Sequence, residues 1–261
     1  MNEINSDPVA SSDVDFDIRP EENESSILGV QISSIRMPKS DVAKFPSKEV
    51  FDSLVRKSGA ELIIVRVPAN FTSQKSFLQR SGFKFIDRTL DPVIQLKHRS
   101  NLDPELHIQM CTLEELDAVK AIARKSFQHT RYHLDANIKK SAADARMAEW
   151  VESSFYSPSQ KICLVKNLEN RIVAFIIVDS AREESHWLLT SISEDFAGTG
   201  AGTASWNAML NFELGRGTKL VSTRISSANI PALNLYRKLN FSLTNPQDIF
   251  HYHVQASGNF A

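Results

Sequence analysis

The sequence predicts a mixed α/β fold built in two parts. Three observations lead there. Short apolar runs alternate along the chain with segments that read as helices. One stretch, residues 187–241, orders such pieces as strand, glycine loop, helix, strand, helix. Residues 65–83 can also be laid on residues 223–241 without gaps, which marks two related halves.

In chain order, residues 1–12 are polar and acidic and are expected to be disordered or weakly ordered. Ile27–Ile35 alternates weakly and reads as a strand, and Val50–Ser58 as a helix stopped by Gly59. Glu61–Val67 is a buried strand ended by Pro68. Thr72–Arg80 reads as a short helix before Gly82, with sheet pattern at Phe83–Ile86 and Pro92–Leu96. The polar stretch 97–106 is the expected linker. It gives a smaller α/β domain at 13–104 and a second domain at 105–261.

The second domain opens with a short strand, His107–Met110. Thr112 and Glu115 then form a capping-box signature ahead of the helical spacing of Leu116, Val119, Ala123 and Phe127. A further helix spans about 139–153. Ile162–Val165 and Ile172–Val178 are strands joined by a turn at 167–170, and Ile249–Val254 alternates as a last strand. In the echo, Phe77 meets Leu235 and Phe83 meets Phe241, but Leu78 falls where Tyr236 stands. The first half also carries no glycine loop.

Bulk properties narrow the function. A net charge of −1 gives no basic field, so nucleic acid is not an expected partner. No apolar run approaches the ~20 residues that span a bilayer, and Met1–Ser26 lacks the apolar core of a signal peptide. Cys111 and Cys163 lie in no metal or disulfide spacing and read as thiols of a reducing, cytoplasmic compartment. His251 and His253 share one strand face without a third ligand, so no metal is expected.

The glycines at 198, 200 and 202 bring backbone N–H groups to an anion without a Cβ in the way. The helix that follows adds its N-terminal dipole. A P-loop is excluded because Gly202-Thr203-Ala204 has no Lys. A dinucleotide fold is excluded because Thr occupies 203, where its third glycine would stand, and no acidic residue follows a second strand. A glycine turn without a ligand is the bland alternative. Asn229 before Ile230-Pro231 reads as a helix cap that could also touch a ligand. Tyr236 lies beside the apolar stripe Ala232, Leu235, Leu239, either as a partly buried aromatic or as a functional hydroxyl.

Ile192, four intervening residues and Ala197-Gly198-Thr199-Gly200-Ala201-Gly202 resemble the acetyl-CoA motif of the GNAT N-acetyltransferases. Gly200 and Gly202 match its two small positions, and Ile192 its strand-end residue. Ala197 departs, because the family usually has Arg or Gln there. Asn229 through Tyr236-x-Lys238-Leu239-x-Phe241 resembles the second family motif, with Asn240 in place of Gly. The resemblance implies a mixed, mostly antiparallel sheet flanked by helices, with a smaller GNAT-like half before it. It implies acetyl-CoA, or another acyl-CoA, held by Ile192, Ser193, Gly198, Thr199, Gly200, Ala201, Gly202, Thr203 and Asn229. It also implies Tyr236 as general acid to the departing thiolate. His186, Glu194 and Asp195 lie near the loop, but none is assigned as base.

Phe127, Arg131-Tyr132-His133-x-Asp135 and Trp150 look like the acceptor side of bacterial nucleotide-sugar N-acyltransferases, the dTDP-fucosamine acetyltransferases among them. Arg131 and His133 would meet phosphate or sugar hydroxyls and Tyr132 would stack on a base or sugar; a plain surface turn is the alternative. The expected partner is therefore a small-molecule amine, a nucleotide sugar on this resemblance, and a homodimer is compatible with it. Other amines, or a CoA-sensing module without chemistry, are the competing readings.

Overall fold

The computed structural model describes residues 17–41, 45–97 and 104–254. The expected disorder of residues 1–12 lies outside them. The chain divides into two compact units, one drawn from residues 1–88 and 246–261, the other from 89–245. No helix among the described residues is long and apolar enough to cross a membrane.

In the first unit, β1 (Asp17–Pro20) pairs antiparallel with β2 (Ile32–Arg36), and β2 runs parallel to β3 (Leu62–Pro68). The residues expected as one strand from Ile27 instead split between helix α1 (Glu22–Leu28) and β2. Glu22 and Glu24 favour a helix start by their charge, and left-handed Gly29 (φ 69°) ends it. The β2–β3 crossover is α2 (Lys48–Ser58), capped by Ser47 and closed by left-handed Gly59. Helix α3 (Thr72–Arg80) leads into β4 (Lys84–Gln95), one continuous strand where two sheet segments were expected. Ile63, Val65 and Val67 of β3 pack with Phe51 and Leu54 of α2 and Phe77 and Leu78 of α3. Leu62 and Ile64 are buried too, so β3 is covered on both faces.

In the second unit, β5 (Leu106–Met110), β6 (Gln160–Asn167), β7 (Ile172–Ala181) and β8 (Glu184–Ile192) pair antiparallel in sequence. β8 then runs parallel to β9 (Leu220–Thr223). The end of β4 pairs antiparallel with β9 at Val93↔Ser222, and with the short β10 (Ile225–Ser226). Helices α4 (Leu113–Ser126) and α5 (Lys140–Tyr156) bury Leu116, Val119, Met147 and Val151 against Ile162, Leu164, Phe175 and Ile177. Helices α6 (Ala201–Gly215) and α7 (Ile230–Lys238) pack on the opposite face, against Cys163, Val165, Ala174, Ile176 and Val178. The strict alternation of these two sets along β6 and β7 is what a sheet covered on both faces requires. The capping box at Thr112 and Glu115 is formed, and Glu115 also pairs with buried Lys166 of β6.

The echo between the halves has a structural counterpart. β2–α2–β3–α3–β4 repeats the order β8–α6–β9–α7–β11, where β11 is Ser242–His253, and each series contains one parallel pair. The closing strands are exchanged. β3 receives β11 as its antiparallel neighbour, from Gln247↔Pro68 to His253↔Leu62, while β9 receives β4. The units therefore part within β4 and within β11, rather than in the polar stretch 97–106 where the linker was expected. Composition reports which chain faces water; unit membership follows strand pairing.

Asp248 of β11 is 2% exposed and locks the first unit. Arg88 of β4 donates to it through Nε (2.6 Å) and Nη2 (3.0 Å), and Lys75 of α3 donates from 3.3 Å. Burial works to raise the Asp248 carboxyl, but the bonds from Arg88 and Lys75 outweigh it and hold it below its ordinary value. With the folded value depressed, the contribution is full above about pH 4 and fades as pH falls through that folded value. Asp248→Ala should cost about 2 kcal/mol at neutral pH, less than a fully buried pair because both cations reach solvent. Urea unfolding should show this deficit narrowing as the pH is taken toward about 2.

Candidate active site

The candidate site lies where β8 and β9 separate. Their register runs from Glu184↔Leu220 to Trp187↔Thr223 and ends there. β8 stays on β7 as far as Ile192, and the Ser193 N–H donates to Val173 O (2.8 Å). The other chain passes Arg224 and joins β4 through β10. The result is a fork with 188–192 on one arm.

The glycine loop follows the β8 arm. A 3-10 turn, Glu194–Phe196, leads to exposed residues 197–200 and then α6. Gly198 (φ 77°) and Gly200 (φ 88°) are left-handed, and a Cβ at either would meet nothing within 4 Å. Their small size is needed for backbone conformation and leaves the space above them open. Gly202 is small for another reason: a Cβ there would lie 2.6 Å from Ile192 Cδ1. Around the loop, the N–H groups of Ala197, Thr199, Ala201 and Thr203 each find a protein acceptor. Among the described residues, those of Gly198, Gly200 and Gly202 find none. Alternate donors at a helix N-terminus are thus left for an outside acceptor. Thr199 Oγ1 donates to Phe196 O (2.8 Å), so its side chain braces the turn. Ala197 is exposed and brings no polar group.

Asn229 caps α7, its Oδ1 accepting from Ala232 N–H (3.1 Å), with Pro231 in the first turn. Left-handed Asn240 (φ 61°) ends that helix segment, the conformation for which glycine is usual. Tyr236 is 1% exposed. Its ring meets Phe241 edge-on at 5.0 Å and Trp206 at 6.4 Å. Its hydroxyl lies 3.4 Å from Thr190 Oγ1 on the free arm of β8. Burial pushes the phenol up, partly opposed by Thr190, Trp206 and Thr223, so it stays protonated through the neutral range.

Other candidates take structural places. His186 Nδ1 is 2.9 Å from Ser222 Oγ at the paired end of the fork, and burial followed by Arg224 lowers its pKa. Asp195 pairs with Arg171 (2.8 Å) and Glu194 is exposed. Burial raises the thiols of Cys111 to about 11 and Cys163 to about 12, so neither is a nucleophile at neutral pH.

The expected acceptor triad needs correction. Tyr132 is 1% exposed, with the Arg131 guanidinium 4.7 Å and the Arg146 guanidinium 5.3 Å from its ring centre, and Arg146 also lies 4.6 Å from Trp150. Its faces are taken by the protein's own cations, not offered to a base or sugar. The His133 side chain is 3% exposed, held between Thr130 Oγ1 (2.6 Å) and Asp144 Oδ1 (3.0 Å). Arg131 is intermediate in burial, and its Nη2 donates to Tyr132 Oη (3.0 Å). Burial lowers the His133 pKa despite Asp144. Its stabilisation is therefore present above about pH 6.5 and lost as pH falls through the folded value. Thermal unfolding should show a fall in stability between about pH 7 and pH 5 that His133→Gln reduces.

Sequence reasoning missed Thr190, Trp206 and Thr223 around the phenol. The available signal was a threonine in each of two strand stretches, 187–192 and 220–225, that are apolar apart from it and Ser191, Ser222 and Arg224.

Residues 117–241, almost all of the second unit's core elements, match the family described as Acetyltransferase (GNAT) family. Solved structures share the fold at low identity. A GCN5-related N-acetyltransferase from Sphaerobacter thermophilus is 11% identical, with a TM-score of 0.64 over 94% of this chain and 78% of its own. A functionally unknown conserved protein from Staphylococcus epidermidis is 10% identical, with a TM-score of 0.65 over 97% and 96%. A tandem GNAT protein from the clavulanic acid biosynthesis pathway is 13% identical, with a TM-score of 0.58 over 88% and 77%. No curated protein matches the sequence.

Proposed function

We propose that this chain, whose residues 117–241 match the Acetyltransferase (GNAT) family, moves an acetyl or other small acyl group from CoA to the amine of a small molecule. The observation that carries the reading is the set of three N–H groups, at Gly198, Gly200 and Gly202, that find no acceptor among the described residues, beside the Tyr236 fork. The loop amides at 198–203 would take the CoA pyrophosphate, with Ser193 and Ile192 beside the pantetheine and Asn229, whose Oδ1 caps α7, at its edge. The amine nitrogen attacks the thioester carbonyl, the C–S bond breaks, and the thiolate takes the Tyr236 proton. The new amide gives its surplus proton to solvent, and solvent reprotonates the phenolate. Holding the two reactants together supplies much of the rate.

The proposed acceptor is the amino group of a nucleotide-linked amino-deoxy sugar. Its support is the likeness of the 127–150 segment. Residues 89–245 carry the chemistry, and the loop-free first half serves as scaffold. There Asp41 accepts from Ser73 and Gln74 N–H at the start of α3, and buried Gln74 binds Pro38 and Ser40 carbonyls. The loop after β2 is thus tied to its own helix.

The test is release of free CoA from acetyl-CoA with amino-deoxy sugar nucleotides, amino acids, polyamines and peptide N-termini. Turnover on the sugar nucleotide alone is expected; turnover only on another amine would overturn the acceptor. Gly200→Ala should weaken acetyl-CoA about tenfold in calorimetry while costing about 1 kcal/mol of stability, the strain of a Cβ at positive φ.

A further inference from the structure

Strand β5 closes the sheet of the second unit and is paired along one side only, with β6. The register shows which of its backbone groups that pairing uses. Opposed residues in an antiparallel ladder alternate between pairs that exchange both hydrogen bonds and pairs that exchange none. The Cys111 N–H donates to Ile162 O (2.9 Å), so these two form a bonded pair. Two and four residues earlier, Gln109↔Leu164 and His107↔Lys166 are then bonded pairs as well. The N–H and C=O groups of Leu106, Ile108 and Met110 therefore point away from β6, and among the described residues they find no partner. Leu106 and Ile108 pack on the sheet face that carries Cys163 and Val165, and Met110 follows on that face, 42% exposed. None of residues 106–110 is Asp, Glu, Lys, Arg or Pro. In contrast β1, the edge of the first unit, carries Asp17, Arg19 and Pro20. Charge and proline are the usual means of blunting an exposed edge. β5 has neither.

We propose that β5 is a homodimer seam, on which a second copy of this chain lays its own β5 antiparallel about a two-fold axis at Ile108. The strand is complementary to itself in that register. Ile108 faces the partner's Ile108 and Leu106 faces the partner's Met110, so every outward N–H and C=O of the three residues is used. His107 faces the partner's Gln109, and no like charges meet. The apolar side chains at 106, 108 and 110 of both copies form one row, continuous with the core that Leu106 and Ile108 already touch. Neighbouring registers fail. An axis at His107 would set Met110 against the partner's Pro104, which has no N–H to give. An axis at Gln109 would set Leu106 against the partner's Thr112, a residue whose N–H is already held by Glu115 (3.0 Å). The two-fold closes the contact, so association stops at two copies. A seam of 5 residues is small beside the about 1,200 Å² of a stable interface. The dimer is therefore weak and dissociates at about micromolar concentrations. Nothing in this inference depends on the acyl-transfer reading.

The test is sedimentation equilibrium of the whole chain from about 1 to about 500 μM, where a monomer–dimer equilibrium is expected. Met110→Pro removes an outward N–H and leaves every bond to β6 in place, so the variant should keep the native circular dichroism. It should weaken dimerisation about a hundredfold, because the two-fold makes each lost bond count twice. Ile108→Lys sets two ammonium groups opposite each other and should also be monomeric. Amide exchange gives a direct readout. The N–H groups of Leu106, Ile108 and Met110 should exchange fast at low concentration and slowly at high, while those of His107 and Gln109 stay slow at both. A chain monomeric throughout, its edge left to another strand or to none, would overturn the proposal. So would a dimer that both substitutions leave intact, or assemblies that keep growing with concentration. If Ile108→Lys fails to fold, Met110→Pro and the exchange pattern decide.

Discussion

Tyr236→Phe should lower turnover about a hundredfold, the lower end for loss of general-acid catalysis, and leave acetyl-CoA affinity within about twofold. The substitution is clean because the ring does the packing. Phe241, Trp206 and the core around them keep their contacts when only the hydroxyl leaves. Among the described residues the hydroxyl bonds to Thr190 at 3.4 Å, too long to matter much to stability. The raised phenol adds a pH signature. A tyrosine whose folded pKa exceeds its unfolded value contributes stability below about pH 10 and loses it as pH rises through the folded value. The Phe variant should lack that alkaline loss, which chemical denaturation at about pH 8 and pH 11 would detect. Unchanged turnover would end the tyrosine's role.

Cutting the chain in the polar stretch, into 1–104 and 105–261, should leave neither piece folded alone. The first piece would lose the strand paired with β3 from Gln247 to His253, including Ile249 and Phe250, which are 2% and 1% exposed. It would also lose Asp248 and strand Lys75 and Arg88. Losing one buried Phe costs about 3–5 kcal/mol, and a domain has about 5–15 to spend. The second piece would lose the strand that pairs with β9 at Val93, Ile94 and Gln95. Circular dichroism and solubility of the separate and co-expressed pieces check this. A folded 105–261 piece that binds acetyl-CoA would refute it.

Local chemistry was legible in the sequence where one residue type has one job. Gly59, the Thr112–Glu115 box, Asn229-x-Pro231 and the glycines at 198 and 200 all act on the backbone within a few residues of themselves, and each stands where its pattern placed it. The bounds of Thr72–Arg80 were readable for the same reason. What depended on distant partners was not. Tyr132 and His133 look like surface ligands in a polar run, yet Arg146 and Asp144, from the next helix, enclose them. The sheet pattern at Phe83–Ile86 and Pro92–Leu96 gave no sign that they form one strand whose pairing changes along its length, from β10 at Leu90 to β9 at Val93. The exchange of closing strands leaves no periodic trace, since β11 alternates identically whichever neighbour it joins.

That exchange also sets a schedule for biosynthesis. β3 emerges early, yet the strand that covers its edge is near the end of the sequence. At about 5–20 residues per second, roughly ten seconds or more pass between the two. Throughout that interval Leu62–Pro68, apolar and extended, offers unpaired backbone to any passing strand.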